Sequence, residues 1–91
     1  MTGAPKIRAV EIIEELETSN RGPYSGGIGW IGKDGSMDLG MVIRTAIFDR
    51  NTVTIGIGGG ITSDSIPEDE HAEIQLKARA LVSELSASVA W

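Results

Sequence analysis

Glu70, Glu73 and Lys77 stand three and four residues apart in the chain. An α-helix turns about 100° per residue, so this spacing puts two carboxylates and an ammonium on one stripe. Ile74, Ala78, Leu81 and Leu85 fall on an apolar stripe beside it, which places the charges at the border of a buried face. A carboxylate pair at such a border can hold a hard divalent cation through oxygen ligands. The same spacing also makes a solvated first turn that complements the helix dipole, with Glu73 and Lys77 as an i,i+4 ion pair. Just upstream, Gly58-Gly59-Gly60 ends an apolar run. Three bare backbone units let a ligand approach the main-chain N–H groups, or let a strand end pack closely on a neighbour. Arg44 lies in an otherwise apolar stretch, and a half-buried arginine there needs an anion. That anion is a ligand, or else Asp38 or a helix glutamate. Tyr24, among small residues, either offers a hydroxyl or packs. Taken together, these groups suit a small carboxylate-bearing ligand with a divalent metal.

The elements that must position them follow from period and punctuation. Pro5 marks a helix entry, and Ala9, Ile12, Ile13 and Leu16 recur at helical spacing to about Glu17. Ser19-Asn20-Arg21-Gly22-Pro23 is a loop. Ile28 to Ile31 reads as a short strand, and Lys33-Asp34-Gly35-Ser36 as a hairpin turn. Met37 to Phe48 reads as one long strand, with Met37, Leu39, Met41 and Ile43 on one face and Asp38, Gly40, Val42 and Arg44 on the other. Asp49-Arg50-Asn51 is a second turn, Thr52 to Ile57 a third strand, and Pro67 to Leu85 the acidic helix. Ser86 to Trp91 is expected to fray. The predicted fold is α+β: a helix, a three-stranded antiparallel meander and a helix, with the helices packed on one face. Apolar residues on both faces of so small a sheet stay uncovered. Their burial is expected against sequence outside the chain or against a second copy.

Composition narrows the function classes. The chain has 91 residues, enough for one small domain. A net charge of −5 argues against nucleic acid or an anionic membrane as partner. Without cysteine there is neither a disulfide framework nor a thiolate metal site. No apolar run is long enough to span a bilayer, and the first residues lack a signal-peptide pattern, so a reducing cytoplasm is the expected setting. Gly27-Ile28-Gly29-Trp30-Ile31-Gly32 matches GxGxxG, but a hairpin turn follows where a dinucleotide site needs a helix. The Gly58 run lacks the Lys-Ser/Thr of a phosphate loop. His71 stands alone and reads as a surface helix residue. No Ser-His-Asp set assembles.

Four ordered stretches carry a resemblance. Thr2-Gly3-Ala4-Pro5-Lys6-Ile7-Arg8-Ala9 with Glu11-Ile12-Ile13, Gly22-Pro23-Tyr24-Ser25-Gly26-Gly27-Ile28-Gly29, and Asp38 through Val42-Ile43-Arg44-Thr45 are three of them. The fourth comprises Gly58-Gly59-Gly60-Ile61, Asp64-Ser65, Pro67, Glu70, Glu73 and Lys77-Ala78-Arg79-Ala80. All four resemble the chorismate-utilising enzymes, with residues 1–91 as the C-terminal part of their larger catalytic domain. The resemblance implies that Tyr24 and Arg44 contact a carboxylate of chorismate, and that backbone of the Gly58, Gly59 and Gly60 run contacts a second. It implies Mg2+ on Glu73, with Glu70 beside it directly or through water. It puts Lys77 near the attacked ring carbon as a catalytic residue that also touches substrate. Within the family the wording is most similar to the aminodeoxychorismate synthase component I (para-aminobenzoate synthase) branch on the folate pathway, with the anthranilate synthase component I branch close. Both imply ammonia from a glutamine amidotransferase subunit. Segments that carry further catalytic groups in this family lie upstream, so the 91 residues alone are expected to be inactive. A non-catalytic module that binds a partner, or another copy of itself, through its open sheet is the other reading.

Overall fold

The computed structural model describes residues 1–85. They form α1 (Lys6–Leu16), β1 (Gly27–Ile31), β2 (Met37–Met41), β3 (Ala46–Asp49), β4 (Thr52–Ile55) and α2 (Pro67–Leu85). The chain divides into two compact units, Met1–Ile43 and the part from Arg44 onward.

In the first unit, Pro5 holds extended dihedrals before α1, and the Glu17 N–H closes the helix on the Ile13 carbonyl at 2.9 Å. Of the predicted apolar face, Ala9 and Ile13 are half-buried while Ile12 and Leu16 stay exposed. β1 and β2 pair antiparallel, with Gly29 opposite Leu39 and Trp30 opposite Asp38. Directly opposed residues share a face, so Ile31, Met37, Leu39 and Met41 line one side, and Ile28 and Trp30 the other. All six are exposed. Gly29 is fixed by sterics: a Cβ there would lie 1.9 Å from the Asp38 carbonyl oxygen. The connecting turn closes through Gly32 N–H on the Ser36 carbonyl at 2.7 Å, with Gly35 at φ +86°. The Asp34 carboxylate accepts from the Ser36 hydroxyl at 2.5 Å and the Ser36 N–H at 3.0 Å, and these bonds hold its pKa below the ordinary value.

In the second unit, β3 and β4 pair antiparallel from Ala46 opposite Ile55 to Asp49 opposite Thr52. Arg50 turns the chain at φ 47°, and the Thr52 hydroxyl donates to the Asp49 carbonyl at 3.0 Å. α2 begins at Pro67 and runs to Leu85 as predicted.

The α+β class and the order of helix, antiparallel strands and helix hold. The single meander does not. The predicted strand from Met37 to Phe48 is broken between Met41 and Ala46. Val42 still bonds beside β1, its N–H donating to the Gly26 carbonyl at 2.9 Å and its carbonyl accepting from the Ser25 N–H at 2.8 Å, and the chain bends there as the Ile43 N–H donates back to the Met41 carbonyl at 3.0 Å. Arg44 then adopts φ 50°, a left-handed conformation that no pleated strand accommodates. The pairings on either side survive, giving two separate two-stranded sheets. β4 also ends at Ile55, short of the expected Ile57. Nor do helices cover the strands: within each unit the two strands are in extensive contact with each other, and the helix lays no comparable face on them. Among the described residues the buried apolar ones are Val42, at 7% exposure, and Ala78, at 5%. The expected fraying of Ser86 to Trp91 lies outside the described residues.

Candidate functional site

The site is built on α2 and the segment that leads into it. Glu68, Asp69 and Glu70 occupy the first helical turn, where carboxylates complement the positive end of the helix dipole. The Glu70 N–H donates to the Ile66 carbonyl at 3.0 Å. Ala78 is the buried centre of the helix face, with Ile74, Leu81 and Leu85 half-buried around it. That is the predicted apolar stripe. Glu70 and Lys77 are half-buried at its border, and Glu73 is exposed.

Side chains on this border meet the glycine run. The Lys77 ammonium pairs with Glu73 Oε1 at 2.5 Å and donates to the Gly58 carbonyl at 3.3 Å. The Glu70 carboxylate reaches Gly59, since a Cβ on Gly59 would lie 3.3 Å from Glu70 Oε2. A glycine there admits the carboxylate without crowding. Gly60 has open space where a Cβ would stand. Thus Glu73, Lys77 and Gly58 are linked in one chain of contacts and Glu70 lies against the adjacent Gly59, while Gly60 stays open. Of the two readings of this spacing, the i,i+4 ion pair of Glu73 and Lys77 is present, and its ammonium also touches the glycine backbone.

The donors fit a hard cation. They are oxygen-only, and Mg2+ is commonly held by one or two carboxylates, with waters and substrate oxygens completing its octahedron. Among the described residues no three carboxylate or imidazole groups cluster as a metal cage. Glu70 and Glu73 can therefore hold only part of such an ion's shell.

Arg44 departs from expectation. It is not in a strand and not half-buried; it is exposed in the break between β2 and β3, and among the described residues it forms no ion pair. Neither Asp38 nor a helix glutamate takes its charge. Tyr24 is half-buried in the loop before β1, and its hydroxyl has no hydrogen-bond partner among the described residues. It belongs to the first unit, whereas Arg44 and the α2 assembly belong to the second. His71 lies 3.1 Å from the Gln75 amide on the exposed side of α2, as expected of a surface residue.

One cluster was not visible in the sequence reading. Arg21 Nε donates to Glu17 Oε1 and Oε2 at 3.1 and 2.9 Å, and Nη2 donates to Glu17 Oε1 at 2.6 Å. Its Nη1 donates to the Met1 carbonyl at 2.7 Å and to the Ser25 hydroxyl at 3.2 Å. The hydrogen bond from Arg21 holds the Glu17 carboxyl below its ordinary value, and the same bond raises Arg21. The i,i+4 spacing of Glu17 and Arg21 was the available signal, hidden because it runs from a helix end into a loop. An open cleft of about 430 Å3 lies beside it, lined in part by Ile13, Glu17 and Arg21; none of the predicted site residues borders it.

Residues 1–83 match the family described as chorismate binding enzyme. Similar curated proteins include anthranilate synthase component 1 of Thermus thermophilus, 49% identical over 90% of this chain and 18% of its own length. Another is the chloroplastic aminodeoxychorismate synthase of Arabidopsis thaliana, 52% identical over 88% of this chain and 9% of that protein. A third is anthranilate synthase component 1 of Acinetobacter calcoaceticus, 44% identical over 97% of this chain and 18% of that protein. The chain therefore spans less than a fifth of the length of these relatives.

Proposed function

We propose, from the fact that the chain belongs to the chorismate-binding enzyme family, that it supplies the carboxylate-and-lysine wall of a chorismate site in an aminating synthase. The reading is an aminodeoxychorismate synthase component I, which converts chorismate and ammonia to 4-amino-4-deoxychorismate. The observation that carries it is the meeting of Lys77 with the Gly58 carbonyl and of Glu70 with Gly59, with Glu73 paired to Lys77.

Each group has a role that its chemistry suits. Arg44, exposed and without an ion pair among the described residues, presents a guanidinium fork to one substrate carboxylate. The Tyr24 hydroxyl, without a hydrogen-bond partner among the described residues of its own unit, suits a substrate carboxylate. Backbone N–H groups of the glycine run receive a second carboxylate. Glu70 and Glu73 hold Mg2+, whose contribution when bound is to neutralise a carboxylate and, as a Lewis acid, to ease departure of the ring hydroxyl. Lys77 needs only to leave Glu73 to reach a ligand seated on the glycines, where its ammonium orients substrate and nucleophile. Ammonia comes from a glutamine amidotransferase subunit, and the setting is the cytoplasm.

A second reading is anthranilate synthase component I, favoured by the names of the Thermus and Acinetobacter relatives. The experiment that separates the two incubates the full natural chain carrying this sequence with chorismate, ammonium and Mg2+. Products are then identified by mass spectrometry. An amine in place of the ring hydroxyl, with the enolpyruvyl group retained, is the expected result. Anthranilate with released pyruvate would move the assignment to the second reading. No turnover, together with chorismate binding indifferent to Mg2+ and to Arg44→Ala, would overturn both in favour of a non-catalytic module.

A further inference from the structure

The turn that carries Tyr24 is held from two sides. On one side the Ser25 N–H donates to the Val42 carbonyl at 2.8 Å, and the Gly26 carbonyl accepts from the Val42 N–H at 2.9 Å. On the other side Arg21 donates to the Ser25 hydroxyl. Within the turn, the Gly26 N–H bonds the Pro23 carbonyl at 3.0 Å. Ser25 itself sits at φ 69°, a conformation that a non-glycine residue keeps only where its surroundings impose it. Those surroundings are the Val42 backbone, the Arg21 fork and the Met1 amino group, which donates to the Ser25 hydroxyl at 2.6 Å.

Arg21 is unusually committed for a loop arginine. Its side chain is 26% exposed, and Nε, Nη1 and Nη2 all donate within the protein. The Glu17 carboxylate takes the fork side-on, and a bidentate pair fixes orientation as well as distance. A guanidinium bound in this way has no edge left for a substrate anion. The Tyr24 hydroxyl, by contrast, is left without a protein partner among the described residues.

We propose that Arg21, oriented by Glu17, is a positioning residue: it locks the Pro23–Gly26 turn so that the Tyr24 hydroxyl is presented to a substrate carboxylate. The inference rests on the substrate role given to Tyr24 above and adds a residue pair to that site. Arg21 never touches the ligand. Its effect passes through Ser25 and the turn, so it must disappear when the Tyr24 hydroxyl is absent.

That dependence is the test. In the full natural chain, Arg21→Ala is expected to raise KM for chorismate about tenfold, in line with coupling between residues of one hydrogen-bonded network. The turnover rate should stay within about twofold, since uniform binding rather than transition-state stabilisation is lost. Arg21→Lys keeps the charge without the fork and should raise KM by a smaller factor, which guards against a variant that simply misfolds. In a Tyr24→Phe background, Arg21→Ala should change KM by less than about twofold. A full tenfold loss added on top of Tyr24→Phe would overturn the proposal and leave the role of Tyr24 standing. A Tyr24→Phe protein with an unchanged KM would overturn the role of Tyr24, and the proposal with it.

Discussion

Arg21 and Arg44 are the same side chain in opposite circumstances. Arg21 stands four residues after a glutamate, and its fork is saturated by Glu17, Ser25 and a main-chain carbonyl. Arg44 has no acid within four residues on either side, occupies a left-handed kink and is exposed. The difference teaches where to look for an anion-binding arginine in a small chain. A guanidinium that already has a carboxylate one helical turn away builds structure. One that the local sequence leaves without partners stays exposed, as the role proposed for Arg44 requires.

The sharpest way to break this contrast is Arg44→Ala in the full natural chain. Loss of a charged hydrogen-bonding group at a ligand should lower kcat/KM for chorismate roughly a hundredfold. Thermal stability should scarcely change, because Arg44 forms no ion pair among the described residues. Unfolding by calorimetry beside steady-state kinetics checks both halves. Next in size is Glu73→Gln. It removes a charged oxygen donor and frees Lys77, and Mg2+ affinity measured by titration calorimetry should fall roughly tenfold. A smaller effect is expected at Glu17. Its folded-state pKa is lowered by the Arg21 hydrogen bond, so its contribution is fully present above about pH 4.5 and is lost as pH falls through the lower folded value. Exchange protection of the Ser25 N–H should therefore decline across that acid range. The effect is modest because the Glu17 side chain is 39% exposed. The least effect belongs to Arg8→Ala, whose pairs with Glu11 at 3.0 Å and Glu15 at 3.5 Å are open to solvent. Stability should move by no more than about 0.5 kcal/mol in a chemical denaturation series.

What the sequence could disclose divides along physical lines. The bounds of α2 were legible because Pro67, three acids and an apolar stripe all agree on one helix. Asp34-Gly35 announced the first hairpin, and the alternation of Met37, Leu39 and Met41 announced its second strand. The break after Met41 was not legible, because Val42-Ile43-Arg44-Thr45 continues the alternation on paper. What ends the strand is a tight bend at Val42, where the Ile43 N–H returns to the Met41 carbonyl, together with a positive φ on a residue that is not glycine. Neither leaves a local mark. The absence of a helix layer was hidden for a related reason: apolar content says that a face is to be covered, not by what. At the site, Glu70, Glu73 and Lys77 were legible from spacing alone. Their contact with Gly58 and Gly59 needed the fold, because nineteen residues separate Lys77 from the carbonyl it reaches.

The break between β2 and β3 also has a kinetic meaning. One long strand would have to be claimed on both edges before either pairing was secure. Two short ladders, each closed by its own tight turn, need only local search. Hairpins of this kind form in about 1–10 μs, while a ribosome adds about 5–20 residues per second. Each ladder can therefore form within the time taken to add one residue to the chain, so the two strand pairs that flank Arg44 can serve as local nuclei.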